Sequence, residues 1–466
     1  MNAKPHYFTI ALFLIPLAIA CGPLVAEDEN APNVLLIFVD DLGTRDVGCF
    51  GADDLSTPHI DALAEDGVML TRAYAHKVCC PARAMLLTGR YPQRSTVNNW
   101  TQGNMHEEAV GLNMSLSEVT IAEVFKKAGY RTAIFGKWHL GADEEHGPTC
   151  QGFDEFFGHR GGFIDNYRHY FLHGRGFHDL YRGTEEVFLP DEYFSDLVVE
   201  ESLAFLSAEQ DEPFFLYAAF NLPHYPEQAD SQFDALYEDM AEPRRSYAKV
   251  VSTVDDRIGI LLDRIDQLGL TDNTIVVFMS DNGYSTESAQ ISVEDHTSGL
   301  PKGHNYGANG GGGYSGPFRG AKGCFFEGGI RVPAVVRYLG VLPEGVVRDQ
   351  MTTACDWLPT LAELADIEGP GEDVQLDGRS IVSVLQNDAP SPHEIFHWQW
   401  QAGWAVMEGE WKLISDNVNS RYEEDRIFLG RVDGDEPEGR NLAEEEPERV
   451  QRMIQMHEDW VNQVMP

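Results

Sequence analysis

Short apolar runs alternate with longer helical patterns along most of the chain. Val34–Val39, Thr132–Phe135, Phe214–Phe220 and Thr274–Met279 are almost continuously apolar, as strands buried on both faces must be. Thr120–Lys127 and Tyr247–Leu268 carry a helical pattern between them. This alternation predicts an α/β fold with a large, mostly parallel sheet flanked by helices. Beyond residue 370 the pattern changes. Trp404–Val406 and Trp411–Ile414 read as two strands joined by a turn at Glu408-Gly409-Glu410, and residues 447–464 as a helix covering them. The expectation is a main domain over 27–370 and a smaller antiparallel C-terminal subdomain with a helix over 371–466. Trp398, Trp400 and Trp404 could stack on a sugar ring, but an aromatic cluster in a strand pair is more often core.

The first residues follow a different pattern. Lys4 and His6 precede an apolar run from Phe8 to Ala20, followed by small residues at Ala18–Cys21 and at Leu24–Ala26. Residues 1–26 therefore read as an export signal. The run is too short for a membrane span, so the mature chain is expected to lack a transmembrane helix and to be periplasmic or extracellular. Cys21 is an alternative site for a lipid anchor.

Charge narrows the partners. The net charge of −41, from 34 basic against 75 acidic residues, argues against nucleic acid. An anionic substrate would need a local cationic pocket. With Cys21 and Cys79 set aside, five of the seven cysteines remain, widely scattered, so one disulfide is possible and none is required.

The predicted strands run into polar residues: Asp40-Asp41, Gly136-Lys137-Trp138-His139, Asn221-Leu222-Pro223-His224 and Ser280-Asp281-Asn282-Gly283. Ligands of open α/β sheets bind beyond the carboxyl ends of the strands, so this repetition points to one shared site. Asp40, Asp41, Asp281 and Asn282 offer only oxygens, which suits Ca²⁺ or Mg²⁺. His139 and His224 keep a zinc alternative open. Lys322 follows a long polar loop, 284–317, that includes His296 and His304; it reads equally as a solvated surface lysine or as part of an active-site lid. Cys79 is expected at the mouth of a helix with Pro81 at its first position and Gly89 at its end. Free backbone N–H groups there favour negative charge.

Cys79-Cys80-Pro81-Ala82-Arg83, followed by Leu87-Thr88-Gly89-Arg90, resembles the signature of the type I sulfatases of the alkaline phosphatase superfamily. The other polar motifs recur in that family's order over roughly residues 33 to 335. The resemblance implies an alkaline-phosphatase-like fold and hydrolysis of sulfate esters of a sulfated carbohydrate or an aryl sulfate. It implies that a formylglycine-generating enzyme oxidises Cys79 to formylglycine (3-oxoalanine). Asp40, Asp41, Asp281 and Asn282 would ligate one Ca²⁺, with residue 79 completing the shell. Arg83 and Lys137 would hold the hydrated aldehyde, His139 would act as base, and His224 with Lys322 would hold the sulfate and protonate the leaving oxygen. Gly152–Gly158 and Gly161–Asp165 are similar to a segment of carbohydrate sulfatases. His159 and Arg160 depart from its simplest form and, with His304, are candidates to touch substrate. A phosphonate monoester or phosphodiester hydrolase of the same superfamily, and a non-catalytic carbohydrate-binding relative, are the alternatives.

Overall fold

Asn33–Asp40 (β1) is buried along its whole length. Successive side chains point to opposite faces, so Val34, Leu36 and Phe38 enter one apolar core while Leu35, Ile37 and Val39 enter another. Both faces are covered, which is why the run contains no polar alternation. A computed structural model describes residues 31–99, 101, 113–208, 211–306, 310–415 and 427–465. The expected export signal and Cys21 lie outside the described residues.

Around β1 lie Val68–Tyr74 (β2), Arg131–Lys137 (β3), Glu155–His159 (β4), Phe214–Pro223 (β5), Thr274–Ser280 (β6) and Arg331–Arg337 (β7). They occur in the order β2-β7-β6-β1-β5-β3-β4 within an eleven-stranded sheet. β6, β1, β5, β3 and β4 are parallel neighbours, while β7 runs antiparallel to both β6 and β2. The sheet is therefore mixed, with a parallel centre. Cys79–Thr88 (α1) and Ile121–Lys127 (α2) cover one face; Phe194–Ser207 (α3) and Arg244–Gln267 (α4) cover the other. A capping box starts α2. The Thr120 hydroxyl accepts from the Glu123 amide at 3.2 Å, and the Glu123 carboxylate accepts from the Thr120 amide at 2.7 Å.

Ile395–Trp400 (β8), Gly403–Glu408 (β9), Trp411–Ser415 (β10) and Phe428–Arg431 (β11) form a separate four-stranded antiparallel sheet. Gly409 turns β9 into β10 at φ 60°, a conformation that suits glycine. Pro447–Val464 (α5) packs on this sheet. The Trp398 indole donates to the Ala75 carbonyl at 2.8 Å, and Trp404 stacks on His457 at 4.3 Å between centroids. These tryptophans are packing residues. Lys412 is fully buried and pairs with Glu327 at 2.6 Å and Glu438 at 2.7 Å, tying the small sheet to the segment before β7. The six described cysteines are free. Among the described residues no helix is long and apolar enough to cross a membrane.

Candidate active site

Parallel strands deliver their ends to one edge, and the polar residues gather there. β1 ends in Asp40, and Asp41 follows in the left-handed region at φ 68°. A non-glycine residue there is held at a cost by its surroundings. The Asp41 amide donates to Asp281 at 3.1 Å, and Tyr247 of α4 donates to the Asp41 carbonyl at 3.0 Å. β3 ends in Lys137, with His139 just beyond it, also left-handed at φ 57°. β5 leads to His224, and β6 to Asp281 and Asn282.

α1 brings Cys79 to the same edge as its first residue. Pro81 is thus the third residue of the helix, not the first as expected. The amide it lacks would have no helical partner there either, because the first amides of any helix are unbonded. Gly89 ends α1 in the left-handed conformation at φ 65°. The thiol of Cys79 and one carboxylate oxygen each from Asp40, Asp41 and Asp281 all lie within 4.8 Å of one another.

Cations ring this cluster. Lys137 contacts Asp40 at 2.5 Å, Arg83 contacts Asp281 at 3.1 Å, and Lys322 contacts Asp41 at 2.8 Å. Arg83 also donates to the Lys137 carbonyl at 3.2 Å and to the Tyr217 hydroxyl at 3.3 Å. Asp40, Asp281 and Arg83 are fully buried. Burial pushes the Asp281 carboxyl up to about 8, helped by the charge of Asp40. Burial likewise raises Asp41 to about 6 against the pull of Lys322. At Asp40 burial also raises the carboxyl, but Lys137, His224 and Arg83 together hold it well below the usual range.

Two buried oxygens, Asp40 Oδ1 and Asn282 Oδ1, have no hydrogen-bond partner among the described residues. The Asn282 amide nitrogen donates to Asp41 at 2.7 Å, which leaves that oxygen directed elsewhere. Crowded carboxylates with spare buried oxygens fit a hard divalent cation, which would offset the burial and mutual repulsion that raise Asp281 and Asp41. Cys79 and His224 also come within 4.8 Å of Asp40, but the larger group, three carboxylates and one thiol, is weighted to oxygen rather than to the nitrogen and thiolate that zinc prefers. Burial, and next the Asp40 charge, push the Cys79 thiol well above its ordinary range. The helix start does not overcome this, so residue 79 as a cysteine is a protonated thiol and a poor nucleophile.

Both histidines of the site are neutral. Burial, then Lys137 and Arg83, hold His139 well below its usual value. Burial, then Lys322, bring His224 down to about 3. His224 Nδ1 donates to the Tyr225 carbonyl at 2.6 Å, and Nε2 lies 3.7 Å from Asp41.

The three substrate candidates separate. His159 is the register partner of Lys137, is fully buried, and has Nε2 without a partner among the described residues. Arg160 turns onto the Tyr181 ring at 4.0 Å. His304 is exposed on the 284–317 loop, its backbone bonded to Pro301 and Ile291. That loop does reach the site elsewhere. Ile291 and Tyr306 pack with Phe163, Phe171 and Tyr225 beside His224. Tyr217, Tyr247 and Glu287 were not foreseen. The first two lie in apolar segments that read only as core, and Glu287 lies in a polar loop where one carboxylate looks like any other.

The Sulfatase family model matches residues 32–367. An N-acetylgalactosamine-6-sulfatase of Rattus norvegicus is 32% identical over 432 residues, covering 89% of this chain and 77% of that protein. A steryl-sulfatase of Mus musculus is 32% identical, covering 87% of this chain and 75% of that protein. Among solved structures, Ps i-CgsB in complex with k-i-k-neocarrahexaose superimposes with a TM-score of 0.77 at 27% identity, covering 92% of each chain.

Proposed function

The chain belongs to the sulfatase family and is a sulfuric ester hydrolase, and from that premise we propose that it desulfates a carbohydrate. Residue 79 is read as the precursor of formylglycine, and Asp40, Asp41, Asp281 and Asn282 as the residues that hold one Ca²⁺. The ion would polarise the sulfuryl oxygens, and the formylglycine, hydrated to a geminal diol, would supply the attacking hydroxyl. One observation carries the reading: three carboxylates and Cys79 share a cluster within 4.8 Å. The glycan part rests on relatives named for an N-acetylgalactosamine sulfate and for a neocarrahexaose complex.

The chain's own side chains divide the work. Arg83 and Lys137, locked to Asp281 and Asp40, orient the side chain at 79 and stabilise negative charge beside it. Lys322 reaches the opposite side of Asp41 and, with His224, holds sulfuryl oxygens. His224 Nδ1 is committed to the Tyr225 carbonyl, so Nε2 is the atom that passes a proton to the leaving oxygen. Burial and then Lys322 keep this imidazole neutral, and a bound sulfate offsets the second of these. His139, neutral beside Lys137 and Arg83, accepts a proton at the position-79 end. Near-complete burial of these groups excludes water from the charge transfer.

On the same reading, residues 1–26 are an export signal, 27–370 the catalytic unit and 371–466 the C-terminal subdomain. Cys79→Ala is expected to lower kcat/KM for an aryl sulfate by about 10³-fold or more, with the circular dichroism of the folded protein retained. The wild-type peptide containing residue 79 should carry the mass loss of thiol-to-aldehyde conversion. Full sulfate-ester hydrolysis by the variant would refute the assignment. Faster cleavage of aryl phosphodiesters than of aryl sulfates would move the activity to the phosphodiester class.

A further inference from the structure

Glu287 is out of place in a pocket built for an anion. Its carboxylate lies 3.7 Å from Lys322, and one of its oxygens lies within 4.8 Å of both an Asp41 oxygen and a His224 nitrogen. Lys322 does not need it, because Asp41 already binds that ammonium at 2.8 Å. A second carboxylate there repels an arriving sulfate. It is also held in place: the Ser285 hydroxyl donates to Glu287 Oε2 at 3.0 Å and accepts from the Glu287 amide at 3.1 Å. The side chain stays 44% exposed, which leaves it open to a ligand from solvent. Partial burial raises the carboxyl, but the charge of Lys322 draws it below its ordinary value. Tyr225 and Tyr306, both buried, back this corner of the site and feel the Glu287 charge, with Tyr225 packed on His224 at 4.2 Å. A half-exposed carboxylate at this place suits a sugar, whose hydroxyls donate to it.

We infer that Glu287 is a specificity-determining residue. It accepts a hydrogen bond from a hydroxyl or amide N–H on the carbon next to the one bearing the scissile sulfate, and it repels a second sulfate or carboxylate at that place. This rests on the sulfatase reading of the site. The closeness of Glu287 to His224, the group assigned to the leaving oxygen, places that neighbouring carbon within its reach.

The test compares kcat/KM for a monosulfated sugar with a free neighbouring hydroxyl and for the same sugar sulfated on both carbons. Glu287→Gln should lower the mono-over-disulfated ratio by about tenfold or more, the scale of one charge-assisted hydrogen bond. Glu287→Ala should lower it as well, with most of the change in KM. An unchanged ratio in folded Glu287→Gln protein, with wild-type enzyme active on both sugars, overturns the inference and leaves the sulfatase reading standing. Wild-type protein that releases sulfate from no ester overturns both.

Discussion

Asp40 concentrates the electrostatics of the site in one side chain. Its Oδ2 lies 2.5 Å from Lys137 and 3.9 Å from Arg83, while its Oδ1 is buried without a partner among the described residues. Such an oxygen is costly unless a ligand completes it. If Ca²⁺ is that ligand, a hundredfold excess over Kd should stabilise the wild-type protein by about 2.7 kcal/mol, read as a higher melting temperature. Asp40→Asn keeps the shape and removes the charge, so the Ca²⁺-dependent rise should fall to less than half. An equal rise in the variant would show that the ion binds elsewhere. Asp40 and Asp281 were legible as ligand candidates, because acidic residues directly after apolar strands have few structural uses. Glu287 was not, since its meaning comes from Lys322 and His224, which meet it only through folding.

At the scale of elements, β3 and β4 approach each other through two glycines. Gly136 and Gly158 are register partners, and both have positive φ, at 122° and 153°. A Cβ on Gly158 would sit 1.8 Å from the Gly136 carbonyl oxygen, and one on Gly136 would sit 1.9 Å from that of Ala219. The next residues along each strand, Lys137 and His159, are therefore aimed by a backbone that no larger residue permits. Gly158→Ala is expected to cost about 2 kcal/mol or more and to lower activity as Lys137 shifts from Asp40. Unaltered melting would refute this close approach. Element existence was readable from apolar runs, and the start of α2 from its capping residues. The place of Pro81 within α1 was not, because the helix begins where β2 and its following loop deliver it.

At the scale of the molecule, the C-terminal sheet and α5 are fixed to the main domain by buried polar contacts as well as by apolar packing. His397 stacks on Trp460 at 5.1 Å, His457 stacks on Trp404, and Trp460 meets Tyr91 of the main domain at 5.0 Å. Burial, with His457 adding to it, brings His397 down to about 3, and burial brings His457 down to about 4. Between pH 6.5 and about 4 the unfolded chain takes up protons that the folded chain refuses, so stability falls as pH is lowered. His457→Gln should flatten that decline in melting temperature, and an unchanged slope would exclude His457 as a source of it. By itself, the sequence determined what local chemistry and periodicity can carry. Buried strands, helix caps, the motif at Cys79 and the oxygen-bearing residues at strand ends all follow from neighbours a few positions away. Only the tertiary structure decided the strand order with its antiparallel β7, the oxygens left unpaired at the cluster, the protonated state of the Cys79 thiol and the place of Glu287. Each of these depends on burial and on charges brought together from distant segments, and neither quantity exists until the chain is folded.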